Sequence, residues 1–133
     1  MNFEINPYVG AGRIKFGMTG KQVQEILQIE PQKFSKTPLC DELTDAYPFC
    51  HVFYKGNGNC EAIEFFGPAG VTIQGNTLIG KPYEKVSSLF KELDRTLEED
   101  EVGFISYKYG ISVYSSDLQR VEGVLAFEEG YYD

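Results

Sequence analysis

Apolar residues follow two spacings along the chain, and each change of spacing predicts a change of element. Val23, Ile26 and Leu27 recur at helical spacing and predict a helix from Gly20 to Leu27 that ends before Pro31. Thr19 and Gln22 stand where a capping box forms, the hydroxyl accepting from the Gln22 N–H while the Gln22 side chain accepts from the Thr19 N–H. A second helix is predicted after Pro82, whose missing N–H costs nothing in a first turn. Its apolar face is Tyr83, Val86, Phe90, Leu93 and Leu97.

Elsewhere the spacing shortens to two. Cys50–Tyr54 and Cys60–Phe66, joined by Gly56-Asn57-Gly58-Asn59, predict a hairpin whose turn uses Asn-Gly for positive φ. Val102–Lys108, Gly110–Tyr114 and Val121–Phe127 predict a three-stranded meander. Residues 41–49 and 98–101 show neither spacing and are expected to be a loop and a turn, with 67–75 as a connection between halves.

The two halves match each other. Gly12, Gly17, Val23, Ile26 and Leu27 recur as Gly75, Gly80, Val86, Leu89 and Phe90, an offset of 63. Val52-Phe53 recurs as Val113-Tyr114, and Cys60-Glu61-Ala62-Ile63 with Phe66 recurs as Val121-Glu122-Gly123-Val124 with Phe127, an offset of 61. Two sets in the same order predict an internal repeat of roughly 60 residues. The expectation is a single α+β domain over 1–133, made of two tandem helix-plus-antiparallel-meander repeats at about 9–67 and 70–128. They are expected to form one sheet with both helices on one face.

The same glycines bear on chemistry. Gly12, four residues, Gly17 and Thr19 approach the phosphate-cradling loop, but Met18 stands where that loop needs lysine, so the glycines are read as turn residues. A formal charge of −8 argues against a nucleic-acid ligand and favours a basic partner if the partner is charged. The opening residues lack the basic and apolar regions of an export signal, and no apolar run approaches about 18 residues, so a cytoplasmic protein is expected, with no membrane partner. Cys40, Cys50 and Cys60, ten residues apart with His51 among them, lack the close pairing of zinc ligands and are read as reduced thiols. No metal, cofactor or catalytic residue is assigned.

Phe16-Gly17-Met18-Thr19 with Val23 and Leu27, followed by a meander and then repeated around Gly80, Val86 and Leu89, resembles the tandem-repeat fold of the β-lactamase inhibitor protein. It is also similar to the small domain of outer-membrane assembly lipoproteins. That resemblance implies a binding scaffold. The chain differs in lacking an export signal and a cysteine pair in each repeat; by type, as a small acidic binding protein, it resembles the immunity proteins of bacterial toxin systems. The expected function is therefore non-enzymatic: inhibition of a basic bacterial toxin, a nuclease among the candidates, through an acidic, aromatic surface. Asp41, Glu42, Asp45, Tyr47 and Phe49, the run Glu98-Glu99-Asp100-Glu101, and Tyr131 with Tyr132 are the candidate partner contacts, since carboxylates pair with Arg or Lys and aromatics anchor interfaces. Tyr54, Tyr107 and Tyr114 are further candidates if they lie on an exposed sheet surface. The alternative is a small enzyme or ligand-binding domain with a pocket between sheet and helices.

Overall fold

The computed structural model describes residues 1–35 and 43–132. Its strands are β1 (Asn2–Asn6), β2 (Gly10–Ala11), β3 (Ile14–Lys15), β4 (Gln32–Ser35), β5 (Leu43–Tyr47), β6 (Cys50–Tyr54), β7 (Cys60–Phe66), β8 (Gly70–Ile73), β9 (Asn76–Thr77), β10 (Glu98–Asp100), β11 (Gly103–Ser106), β12 (Ile111–Tyr114) and β13 (Gly123–Phe127). The helices are α1 (Gly20–Leu27) and α2 (Tyr83–Leu93). Among the described residues no helix is long and apolar enough to cross a membrane.

The fold is α+β, with two sheets instead of the single one expected. The larger runs β10-β11-β12-β13-β7-β6-β5-β4, all neighbours antiparallel, and the smaller runs β3-β2-β1-β8-β9. The small sheet depends on a parallel pairing of β1 with β8, which places a strand in the segment expected to be only a connection. In β1 only Phe3 and Ile5 are buried, so the stretch reads as polar although it contributes to the core. Phe3 packs on Phe65 at 4.8 Å and Phe49 at 5.7 Å between ring centroids, tying the small sheet to the large one.

Two further expectations are corrected. Residues 43–47 form β5, which pairs with both β4 and β6, and 98–100 form the edge strand β10. Leu97 lies beyond α2, because Asp94 leaves helical conformation at φ −140° and spends its carboxylate elsewhere. That carboxylate accepts from Thr96 N–H and Oγ1 at 2.9 and 2.6 Å and from Ser106 Oγ at 2.7 Å, fastening the end of α2 to β11. Burial alone would raise the Asp94 carboxyl, but these hydrogen bonds outweigh it and hold it below the usual carboxylate range.

The capping box of α1 is present, with Gln22 N–H donating to Thr19 Oγ1 and Thr19 N–H donating to Gln22 Oε1. Just before it, Gly17 takes a φ of 96°, and Gly80 before α2 takes 83°, a region L side chains avoid. These turns return the chain to the sheet. Gly17 N–H donates to Cys60 O and Cys60 N–H to Met18 O; correspondingly, Gly80 N–H donates to Val121 O and Val121 N–H to Lys81 O.

On the large sheet one face carries Cys50, Val52, Ile63, Phe65, Ala126 and Phe104, all buried. α2 meets this face through Phe90, 5.1 Å from Phe104 between ring centroids, and through Tyr83 and Ser87, whose hydroxyls donate to Glu99 at 2.7 and 3.0 Å. At the start of α1, Gly20 lies against the side chains of Asp45 and Tyr54, which belong to the same face.

Two glycines of the sheet make opposite predictions. A Cβ on Gly103, at φ 153°, would come within 1.8 Å of the Val113 carbonyl oxygen, whereas one on Gly123 meets nothing nearer than 3.4 Å. Gly103→Ala should therefore lower stability by about 1–3 kcal/mol or more. Gly123→Ala should leave it unchanged or raise it by up to about 1 kcal/mol, since glycine within a strand is itself a cost. Urea denaturation midpoints of the two variants check both signs.

Candidate functional site

Strand alternation sends every second residue of the large sheet to the face opposite the core. The register allows that outer face to be read in rungs. One rung, from β4 to β10, is Gln32, Ala46, His51, Glu64, Leu125, Ser112, Ile105 and Glu98. The next holds Phe66, Gly123, Tyr114, Gly103 and Asp100. On the other side lie Phe127, Ala62 and Phe53, with Phe34 beside Thr44.

No lysine or arginine occupies these positions, while Glu64, Glu98 and Asp100 do. Phe34 is 40 % and Tyr114 48 % exposed, Phe53 and Phe66 are half-buried, and Phe127 is buried. His51 sits edge-on between Phe34 and Phe66, at 5.3 and 5.0 Å between ring centroids, and its Nδ1 is 3.5 Å from Glu64 Oε1. A depression of about 500 Å³ opens over Gly123, lined by Glu64, Phe66, Ser112, Tyr114, Glu122 and Leu125 among others. Other hollows lie beside α1, near Lys21 and Glu25, and between β9 and α2, near Lys81 and Lys85.

One corner of the face is aromatic throughout. Phe127 stacks on Tyr131 at 5.8 Å and meets Tyr132 edge-on at 5.0 Å, and Tyr107 meets Tyr132 at 6.0 Å. Tyr8 reaches the same corner, its hydroxyl donating to the Tyr107 carbonyl. The cluster brings Tyr131 and Tyr132 to the outer face, together with Tyr107; Tyr114 stands farther along it.

The acidic, aromatic stretch before the hairpin is placed differently. Asp41 and Glu42 lie outside the described residues, as does Cys40. Asp45, Tyr47 and Phe49 are 1, 4 and 7 % exposed and belong to the interior, which corrects their assignment to a surface loop. The physical reason is that Asp45 and Tyr47 occupy the core side of β5, opposite Val52 and Cys50. Asp45 accepts from Lys33 Nζ at 2.6 Å and from Tyr54 Oη at 2.9 Å. Burial, with the Asp45 charge adding to it, raises the Tyr47 and Tyr54 hydroxyls well above the ordinary tyrosine range, so both stay neutral. Tyr54, 8 % exposed, thus faces the core and is no surface contact.

The acidic run divides between faces. Glu98 and Asp100 point outward, while Glu99 turns to α2, where Tyr83 hydrogen bonding comes first in holding its carboxyl below the usual range against the opposing effect of burial. Lys91 Nζ completes that contact at 3.2 Å. Glu101 is exposed in the turn between β10 and β11.

His51 and Cys50, adjacent in sequence, face opposite sides of the sheet. Burial pushes the Cys50 and Cys60 thiols up to about 12, a result suited to packing and opposed to nucleophilic use. Among the described residues no group of three or more His, Cys, Asp or Glu side chains is placed to hold a metal ion. Sequence reasoning did not group Phe34, His51, Glu64, Phe66 and Gly123; for three of them the period-two alternation of the hairpin is a signal, since it puts His51, Glu64 and Phe66 on the side opposite Cys50 and Phe65. The chain matches no family model, no curated protein and no solved structure.

Because buried Asp45 ties Lys33 of β4 and Tyr54 of β6 to β5, its removal should act on folding. Asp45→Ala is expected to lower unfolding free energy by about 1.5–3 kcal/mol, the range for a lost hydrogen bond to a charged group. Denaturant melts measure this directly, and unchanged stability would mean that Asp45 does not hold these strands.

Proposed function

We propose that the chain is a non-enzymatic binding protein that covers a basic protein partner with the outer face of its eight-stranded sheet. Its most concrete form is an immunity protein that neutralises a bacterial toxin in the cytoplasm. The observation that carries this reading is the composition of that face: partly exposed aromatics, three carboxylates, and no lysine or arginine at any outward strand position. Aromatics provide anchoring area and carboxylates steer a cationic surface into contact. In a chain of net charge −8 the long-range field acts in the same direction.

A tandem duplication supports how such a face arises. The hydrogen bonds of Gly17 and Met18 with Cys60 reappear in Gly80 and Lys81 with Val121, at the two offsets, 63 and 61, that relate the halves in sequence. The bridges Thr19 to Asn59 and Pro82 to Arg120 follow the same offsets. In this reading each repeat brings one helix to the core side of a shared sheet and leaves the other side to the partner.

Tagged protein should capture from its native cell extract a basic protein that high salt releases. A Glu64→Lys/Glu98→Lys variant should hold that protein at least about tenfold less well, by loss of electrostatic steering and pairing. Addition of the purified protein at equal molar amount should then suppress the partner's toxicity. An acidic partner, or equal capture by the variant, contradicts the proposal.

A further inference from the structure

We propose that the depression over Gly123 is a socket for one arginine side chain of the partner. The inference rests on the outer face being the partner surface, and adds the chemistry that one point of it recognises.

Gly123 lies between Tyr114 on β12 and Phe66 on β7, directly paired with both. Strands in a sheet are about 4.8 Å apart, so the two aromatic side chains rise about 10 Å from one another with no side chain between them. That gap is wide enough for one intervening flat group and too narrow for two. The gap is not required by the backbone. A Cβ on Gly123 would meet the Phe65 carbonyl oxygen at 3.4 Å and Tyr114 Cβ at 3.9 Å, ordinary contacts, unlike the overlap at Gly103. Glycine here costs strand stability and leaves a hollow of about 500 Å³.

The walls select the occupant. Two flanking aromatic side chains favour a flat cation, which the ring quadrupoles attract. Carboxylates stand at the rim: Glu64 lies one rung from Gly123, and Glu122 precedes it in the chain. Glu122 is held there by Ser116, whose N–H and Oγ donate to Oε2 at 2.6 and 2.7 Å. A guanidinium stacks and pairs with carboxylates in one geometry, whereas an ammonium is a compact hydrated charge that does not stack. Among the described residues, no lysine or arginine occupies an outward strand position of this sheet to oppose its entry.

The test is a ¹⁵N chemical-shift titration of the protein with the tripeptide acetyl-Gly-Arg-Gly-amide and with matched peptides carrying lysine or citrulline. The arginine peptide should give saturable shifts centred on Phe66, Tyr114 and Gly123. Citrulline, flat but uncharged, should bind at least about tenfold more weakly, and lysine should be intermediate. Gly123→Val, which fills the gap, and Tyr114→Ala, which removes an exposed wall, should each abolish saturation while keeping a folded spectrum. Equal response to citrulline, or saturable shifts that persist in both variants, overturns the socket. So does a basic partner that binds wild type and Gly123→Val equally through Phe34 and His51, an outcome that leaves the wider face in place.

Discussion

The pairing of β7 with β13 is the contact on which the rest of the molecule depends. Five residues from each strand, Ala62–Phe66 and Gly123–Phe127, face one another antiparallel at the centre of the large sheet. Remove that ladder and β4–β7 and β10–β13 are two four-stranded sheets, each with a helix. With it, the core residues Ile63, Phe65, Val124 and Ala126 become a continuous layer, and so do the residues behind them. The hollow at Gly123 exists only because Phe66 is brought beside it across this ladder.

Polar groups within the fold do mostly structural work. Asp45 joins β4, β5 and β6; Asp94 joins the end of α2 to β11; Glu99 joins β10 to α2. Each is a carboxylate whose hydrogen-bond donors offset its desolvation. They account for part of the acidity that the sequence shows only as a net charge. What remains outward on the sheet, Glu64, Glu98 and Asp100, is a smaller set, organised by register among aromatic residues.

Local signals were legible in the sequence and distant ones were not. The span of α1, its capping box and the strands of the β6–β7 hairpin follow from spacing within a few residues. β5 was hidden because an interior position holds Asp45, whose partners Lys33 and Tyr54 lie in other strands and make burial tolerable. β10 was hidden because it is an edge strand whose three side chains contact solvent. The parallel partnership of β1 with β8 spans more than sixty residues and left no periodic trace. The candidate face was half legible: alternation separates His51 and Glu64 from Cys50 and Phe65, but only the β7–β13 register places Tyr114, Gly123 and Phe66 side by side.

The most direct measurement of the central claim is hydroxyl-radical footprinting of the protein with its captured partner. Phe34, Phe66 and Tyr114 on the outer face should be protected, while Met18, just before α1, and Leu89, within α2, react as in the free protein. Protection of Met18 and Leu89 with unchanged labelling of the three aromatics would contradict it.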